Sequence, residues 1–128
     1  MPVVNNDTIQ HFQIPGLDHQ TLAGPEHGFN TLEMWMQTIA PGAGTPVHRH
    51  DCEEAIVVLR GSGQCTIEGV TTNFGPNSTL QIPRNIVHQI VNTGTEDLFI
   101  VAALGQAPVR VCTADNEHMP LPWQTNQD

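Results

Sequence analysis

Two histidines one residue apart, His48 and His50, are followed by the carboxylate Glu54, and a further histidine, His88, comes later in the chain. The surrounding residues form two patterns: Gly42-x5-His48-x-His50-x3-Glu54-x6-Gly61, then Pro83-x4-His88-x3-Asn92. Three imidazoles and one carboxylate are a ligand set for a first-row divalent metal ion. The carboxylate partly neutralises such an ion, and four protein ligands leave up to two octahedral positions for water, dioxygen or a bidentate substrate. A single His-x-His is weak evidence; its conjunction with the later His, the glycines and the proline is what points to a metal. Cys52 has the same parity as His50 and reads as a buried free thiol, with a soft extra ligand as the alternative. His11, His19, His27 and His118 lack a comparable setting and read as surface residues.

The spacing asks for strands. In an extended chain, side chains at i and i+2 face the same side, so His48 and His50 present two rings to one point while Arg49 faces away. Strand-like segments run over Leu32–Ile39, Ala55–Leu59, Gln64–Ile67, Thr79–Ile82, Val87–Val91, Leu98–Leu104 and Val109–Thr113. Gly and Pro (11 and 10 residues) punctuate the chain at short intervals, as in an all-β domain with many turns. Helical periodicity is never sustained, and only a short helix near Asn116–Met119 is weakly signalled. Residues 1–20 read as an irregular N-terminal arm, and residues 21–128 as a single β-barrel with a C-terminal tail. If the sheet closes, its strands bring all four candidate ligands inside.

Composition narrows the function. The chain has 128 residues, 13 acidic and 4 basic, for a formal net charge of −9. All four basic residues are Arg. Such a surface repels phosphate backbones and anionic membranes, so neither nucleic acid nor membrane is an expected partner. Without Lys there is no Schiff-base chemistry, and without Tyr no phenolic acid or base. The three scattered cysteines, Cys52, Cys65 and Cys112, suit reduced thiols better than a disulfide scaffold. No apolar run has the length of a signal peptide core or a membrane span, so a soluble cytoplasmic protein is expected.

The two patterns resemble the paired motifs of the cupin superfamily over about residues 30–112. Asn85 stands where the second motif usually has Gly, and Asn also tolerates a left-handed turn. That resemblance implies a cupin-type jelly-roll β-barrel, commonly dimeric, so a homodimer is expected. Over about residues 20–123 the chain is more closely similar to the plant auxin-binding proteins. The stretches Leu32–Gly42 and Thr45–Glu54 carry this similarity, with Ile82-Pro83, His88-Gln89, Glu96-Asp97-Leu98 and Met119-Pro120 following in the same order. The resemblance implies one divalent metal ion per chain, zinc in that family, held by His48, His50, Glu54 and His88. It implies that a small aromatic carboxylate binds the metal while its ring packs in an apolar pocket. Trp35, Gln37, Thr45 and Pro46 match pocket-lining positions, and Trp123 stands in for a C-terminal pocket tryptophan. The cysteines that pair in the plant proteins, and their signal and retention segments, have no counterparts in this sequence.

Two functions compete. One is a binding module in which the metal holds a small carboxylate. The other is an enzyme, with iron, manganese or nickel supporting dioxygenase-like chemistry, or with zinc supporting a lyase or isomerase step. A metal-free structural barrel is a third reading, which the retention of all four ligands disfavours. No catalytic residue beyond the ligands is identifiable.

Overall fold

Leu98–Leu104 alternates strictly between buried and half-buried side chains, and it becomes the central strand of the larger sheet in the computed structural model, which describes residues 3–124. Residues 125–128, part of the expected tail, lie outside the described residues. Among the described residues nine strands form, in chain order: β1 (Phe12–Ile14), β2 (Leu17–Ala23), β3 (Glu33–Ile39), β4 (Glu54–Arg60), β5 (Gly63–Ile67), β6 (Val70–Phe74), β7 (Ser78–Ile82), β8 (His88–Asn92) and β9 (Leu98–Leu104). They make a six-stranded antiparallel sheet, β1-β2-β3-β9-β4-β7, and a three-stranded one, β6-β5-β8. An extended segment continues the smaller sheet through bridges from Gly44 to Val91 and from His48 to His88. Two further bridges, Arg49–Cys112 and Cys112–His118, carry the edge onward.

The core lies between the sheets. The inward residues of β3, β4 and β9, among them Ile39, Ile56, Val58 and Ile100, form one cluster with Cys65 of β5 and Ile90 of β8. This is an all-β jelly roll, as expected, although the two sheets do not join into a fully hydrogen-bonded barrel. Asn92 at the end of β8 ties the sheets together: its buried Nδ2 donates to the carbonyls of Ile39 (2.8 Å) and Glu96 (2.9 Å).

Three expectations are corrected. Residues 12–20 are not an irregular arm: β1 and β2 form a hairpin at the edge of the large sheet, and residue 20 falls inside β2. Gly16 makes this possible, taking φ 75° in the turn after Pro15. The expected helix near Asn116–Met119 is a turn closed by Asn116 N–H on the Thr113 carbonyl (3.0 Å), with Asn116 in the left-handed region. Of the strand expected over Val109–Thr113, only the bridge residue Cys112 pairs.

Candidate metal centre

His48 and His50 sit on the extended segment beside β8, not in a regular strand, yet they keep the i, i+2 relation. Backbone bonds in both directions between His48 and His88 (3.0 and 2.8 Å) hold the segment to β8. A bend at Asp51-Cys52 then lets Glu54 start β4 in the opposite sheet. Asn85 closes the remaining side: with φ 66° it turns the chain before β8 and donates its N–H to the His50 carbonyl at 2.7 Å.

The three imidazoles converge. One ring nitrogen from each of His48, His50 and His88 lies within 4.8 Å of the others, and all three residues are buried. Each ring is oriented through Nδ1, which donates to a backbone carbonyl: His48 to Pro46 (2.6 Å), His50 to Arg110 (3.1 Å) and His88 to Ile86 (2.9 Å). That arrangement fixes the tautomer and leaves every Nε2 as a lone-pair donor. Glu54 Oε1 lies 3.2 Å from His88 Nε2 and 3.6 Å from His50 Nε2. These three atoms are sealed from solvent and make no hydrogen bond. Buried polar atoms without partners are rare and costly, so this convergence fits a cation better than it fits a packed core.

The electrostatics agree. Burial, aided by His88 and His50, pushes His48 down to about 3, and burial also lowers His50. Burial alone would raise Glu54, but the neighbouring imidazoles outweigh it and hold the carboxyl below its usual range. Neutral rings and an ionised carboxylate are the protonation states that metal ligation requires. Cys52 is buried and free, its thiol pushed up to about 11 by burial, and it does not join the three-histidine group.

A cavity opens from this centre between the sheets. His48, His50, Glu54, His88, Trp35, Gln37, Thr45, Pro46 and Trp123 all line it, so the four candidate ligands and the five pocket-lining candidates share one cavity. Most of the remaining wall is aliphatic, with Ile56, Ile90, Ile100 and Leu17 among its residues. None of the four Arg residues reaches it.

Two residues that hold this wall were not anticipated. His19, expected at the surface, is fully buried: its ring stacks on Trp123 with centroids 3.9 Å apart and meets the Trp35 edge at 5.1 Å. Gln37 Nε2 donates to His19 Nδ1 (3.0 Å), and His19 Nε2 donates to Thr21 Oγ1 (2.8 Å). Glu33, also buried, accepts from Trp35 Nε1 (2.7 Å) and from the Val109 amide (3.0 Å), which fixes the indole. The alternation of Leu17, His19 and Thr21 after Pro15-Gly16 was the one available signal for His19. His11, His27 and His118 are exposed, as expected.

A jelly roll enclosing three converging histidines and a carboxylate, on this pair of motifs, is a cupin. Within that class the chain belongs to the auxin-binding protein family, whose model, described as "Auxin binding protein", matches residues 3–125. It is 41% identical over 133 residues to auxin-binding protein 1 of Arabidopsis thaliana, an alignment covering 94% of this chain and 67% of the relative. In fold it resembles the polyketide cyclase RemF from Streptomyces resistomycificus (TM-score 0.73, 21% identity, 97% of this chain and 89% of that one). An RmlC-like cupin from Shewanella frigidimarina is similar as well (TM-score 0.73, 18% identity, 82% of this chain and 90% of that one).

Proposed function

We propose that this chain holds one divalent metal ion, zinc by family resemblance, through His48, His50, His88 and Glu54, and uses it to bind a small aromatic carboxylic acid. The observation that carries the reading is the convergence of His50 Nε2, His88 Nε2 and Glu54 Oε1, sealed and without hydrogen bonds, at the end of an apolar cavity. When bound, the ion would supply positive charge to a carboxylate where the described residues supply none, since no Arg lines the cavity. The chain's own residues do the rest. Backbone carbonyls orient the three rings. Trp35 and Trp123 offer aromatic faces and edges to a ring, and the aliphatic wall excludes water. Thr45 Oγ1 accepts from the Ile90 amide (3.0 Å), which leaves its hydroxyl proton free for an acceptor in the cavity.

The lining favours binding over proton-transfer catalysis. Apart from the four candidate ligands, the described residues that line the cavity include no side chain able to act as a general acid or base at neutral pH. The test begins with the metal content of untagged protein purified without chelator, followed by calorimetric titration of the metal-loaded protein with indole-3-acetate and benzoate. Stoichiometric metal and saturable binding of an aromatic acid are expected. Absence of binding up to millimolar acid would overturn the aromatic-acid reading, and absence of metal after reconstitution would overturn the metal site.

A further inference from the structure

Among the described residues that line the cavity, Gln37 carries the only side-chain amide, and what it shows a ligand depends on what lies behind it. Gln37 sits opposite His19 in the register of β2 and β3, and Thr21 follows His19 at the i+2 position. All three are buried. They form a chain of hydrogen bonds, Gln37 Nε2 to His19 Nδ1 at 3.0 Å and His19 Nε2 to Thr21 Oγ1 at 2.8 Å. Burial pushes His19 down to about 3, so at neutral pH the ring carries a single N–H. Trp123, stacked on its face, and the edge of Trp35 hold the plane of the ring.

Two placements of the protons satisfy such a chain, and they show the cavity opposite groups. With the N–H on Nε2, the Gln37 amide donates to His19 and its carbonyl Oε1 is left for the cavity. With the N–H on Nδ1, the amide turns over and its NH2 is left instead. The far end of the chain decides between them. Thr21 lines a small second cavity together with the exposed Glu26 and the buried Glu33. The three side chains meet around Gly24, where a Cβ would lie 3.0 Å from Thr21 Cγ2, 3.4 Å from Glu26 Oε2 and 3.6 Å from Glu33 Cδ. Glu33 already accepts through both oxygens, from Trp35 Nε1 and the Val109 amide. A carboxylate only accepts, so the Thr21 hydroxyl proton is drawn toward these acids, directly or through a water. Thr21 Oγ1 is then the acceptor for His19 Nε2–H, and His19 Nδ1 is the acceptor for Gln37. Gln37 Oε1 itself has no hydrogen-bond partner among the described residues and is not sealed from solvent.

We infer that His19 and Thr21 are positioning residues that hold Gln37 with its carbonyl toward the cavity, so that the site selects acids carrying an N–H or O–H donor besides the carboxylate. The inference rests on the acid-binding reading above and adds a second point of recognition to it. In a cavity whose wall is mostly aliphatic, a ligand without a donor leaves the Gln37 carbonyl desolvated and unpaired. That cost corresponds to about tenfold or more in affinity.

The polarity of the chain is read without any ligand. Long-range proton–nitrogen NMR of metal-loaded, histidine-labelled protein is expected to show one solvent-protected ring in the Nε2–H tautomer, its signal absent from His19→Gln. His48, His50 and His88 donate through Nδ1 and so give the opposite pattern. Thr21→Val should shift His19 toward Nδ1–H, and Thr21→Ser, which keeps the hydroxyl, should not. An Nδ1–H ring at His19 in the wild type, or an unchanged tautomer in Thr21→Val, would overturn the inference. Selectivity is read by calorimetry on two pairs of acids matched in shape: indole-3-acetate with 1-benzothiophene-3-acetate, and 4-hydroxyphenylacetate with phenylacetate. The donor-bearing acid should bind about tenfold or more tightly in a pair whose donor reaches Gln37, and Gln37→Met should erase the difference. Circular dichroism and metal content unchanged from wild type show that the variants fold. Equal affinities within both pairs, or a preference that survives Gln37→Met, would sink the selectivity. Failure of all four acids to bind would overturn the acid-binding reading and the selectivity with it, while the tautomer still decides the polarity of the chain.

Discussion

At the residue scale, each candidate ligand owes its state to what it touches. His88 has its Nδ1 held by the Ile86 carbonyl and its Nε2 turned toward Glu54, so replacing it removes a donor without opening the outer wall. His88→Ala and His48→Ala should therefore lose stoichiometric metal while keeping the β-rich circular dichroism spectrum. Full metal content in both variants would place the site elsewhere. The candidate ligands were legible because the chemistry such a set could do depends on type and spacing, which sequence carries directly. His19 was not, because the side chain that buries it, Trp123, lies at the other end of the chain, and Asp18-His19-Gln20-Thr21 reads as a polar surface run. Its burial has a measurable consequence. Desolvation lowers His19 to about 3, only partly offset by Asp18, against about 6.5 in an unfolded chain. Between those values the unfolded state binds the proton and the folded state refuses it. The stability is thus fully present above pH 6.5 and is lost as pH falls toward 3, by up to ~1.4 kcal/mol per pH unit. Urea midpoints measured between pH 7 and 5 should show this slope. His19→Gln should flatten it by one proton's worth; an unchanged slope would mean that His19 titrates normally.

At the element scale, the irregular segment running from Gly44 to His50 matters more to the candidate site than any regular strand, since it carries two of the converging histidines against the third on β8. Its close approach depends on Gly44: a Cβ there would come within 2.6 Å of the Ile90 carbonyl oxygen and 3.1 Å of Val91 Cγ2. Gly44→Ala should push the segment off β8, costing about 1–3 kcal/mol of stability. Because His48 and His50 ride on that segment, metal affinity should fall with it. Urea denaturation with and without metal tests both effects, and a variant that loses stability but keeps full metal affinity would separate segment from site. Strands β3, β4, β5, β7, β8 and β9 were readable from β-branched and apolar runs between turn residues. Strand β6 was not, because four of its five residues are exposed and no burial alternation marks it. The hairpin of β1 and β2 was hidden for a different reason. The inward side of β2 is largely polar and satisfied by hydrogen bonds, as at His19 and Thr21, so it lacks the apolar signature of a core strand.

At the scale of the whole molecule, the distribution of charge decides what the cavity can hold. The chain is acidic, its Arg residues lie away from the cavity, and the one ionised group at the cavity's end is a buried carboxylate. Without a metal this interior repels anions, because Glu54 is held ionised and burial disfavours the charged forms of His48 and His50. A divalent ion held by the four candidate ligands would reverse the sign of the site and attract an acid. Metal removal should accordingly do more than weaken acid binding: it should invert the preference between an acid and its neutral analogue. Metal-loaded protein should bind indole-3-acetate more tightly than indole-3-acetamide. After chelator treatment the acid should fail to bind at millimolar concentration, while the amide, which depends on the Trp35 and Trp123 walls, keeps whatever affinity those walls confer. Calorimetry on the two forms with both ligands reads this directly. Equal binding of the acid before and after chelation would show that its carboxylate is recognised by something other than the metal centre.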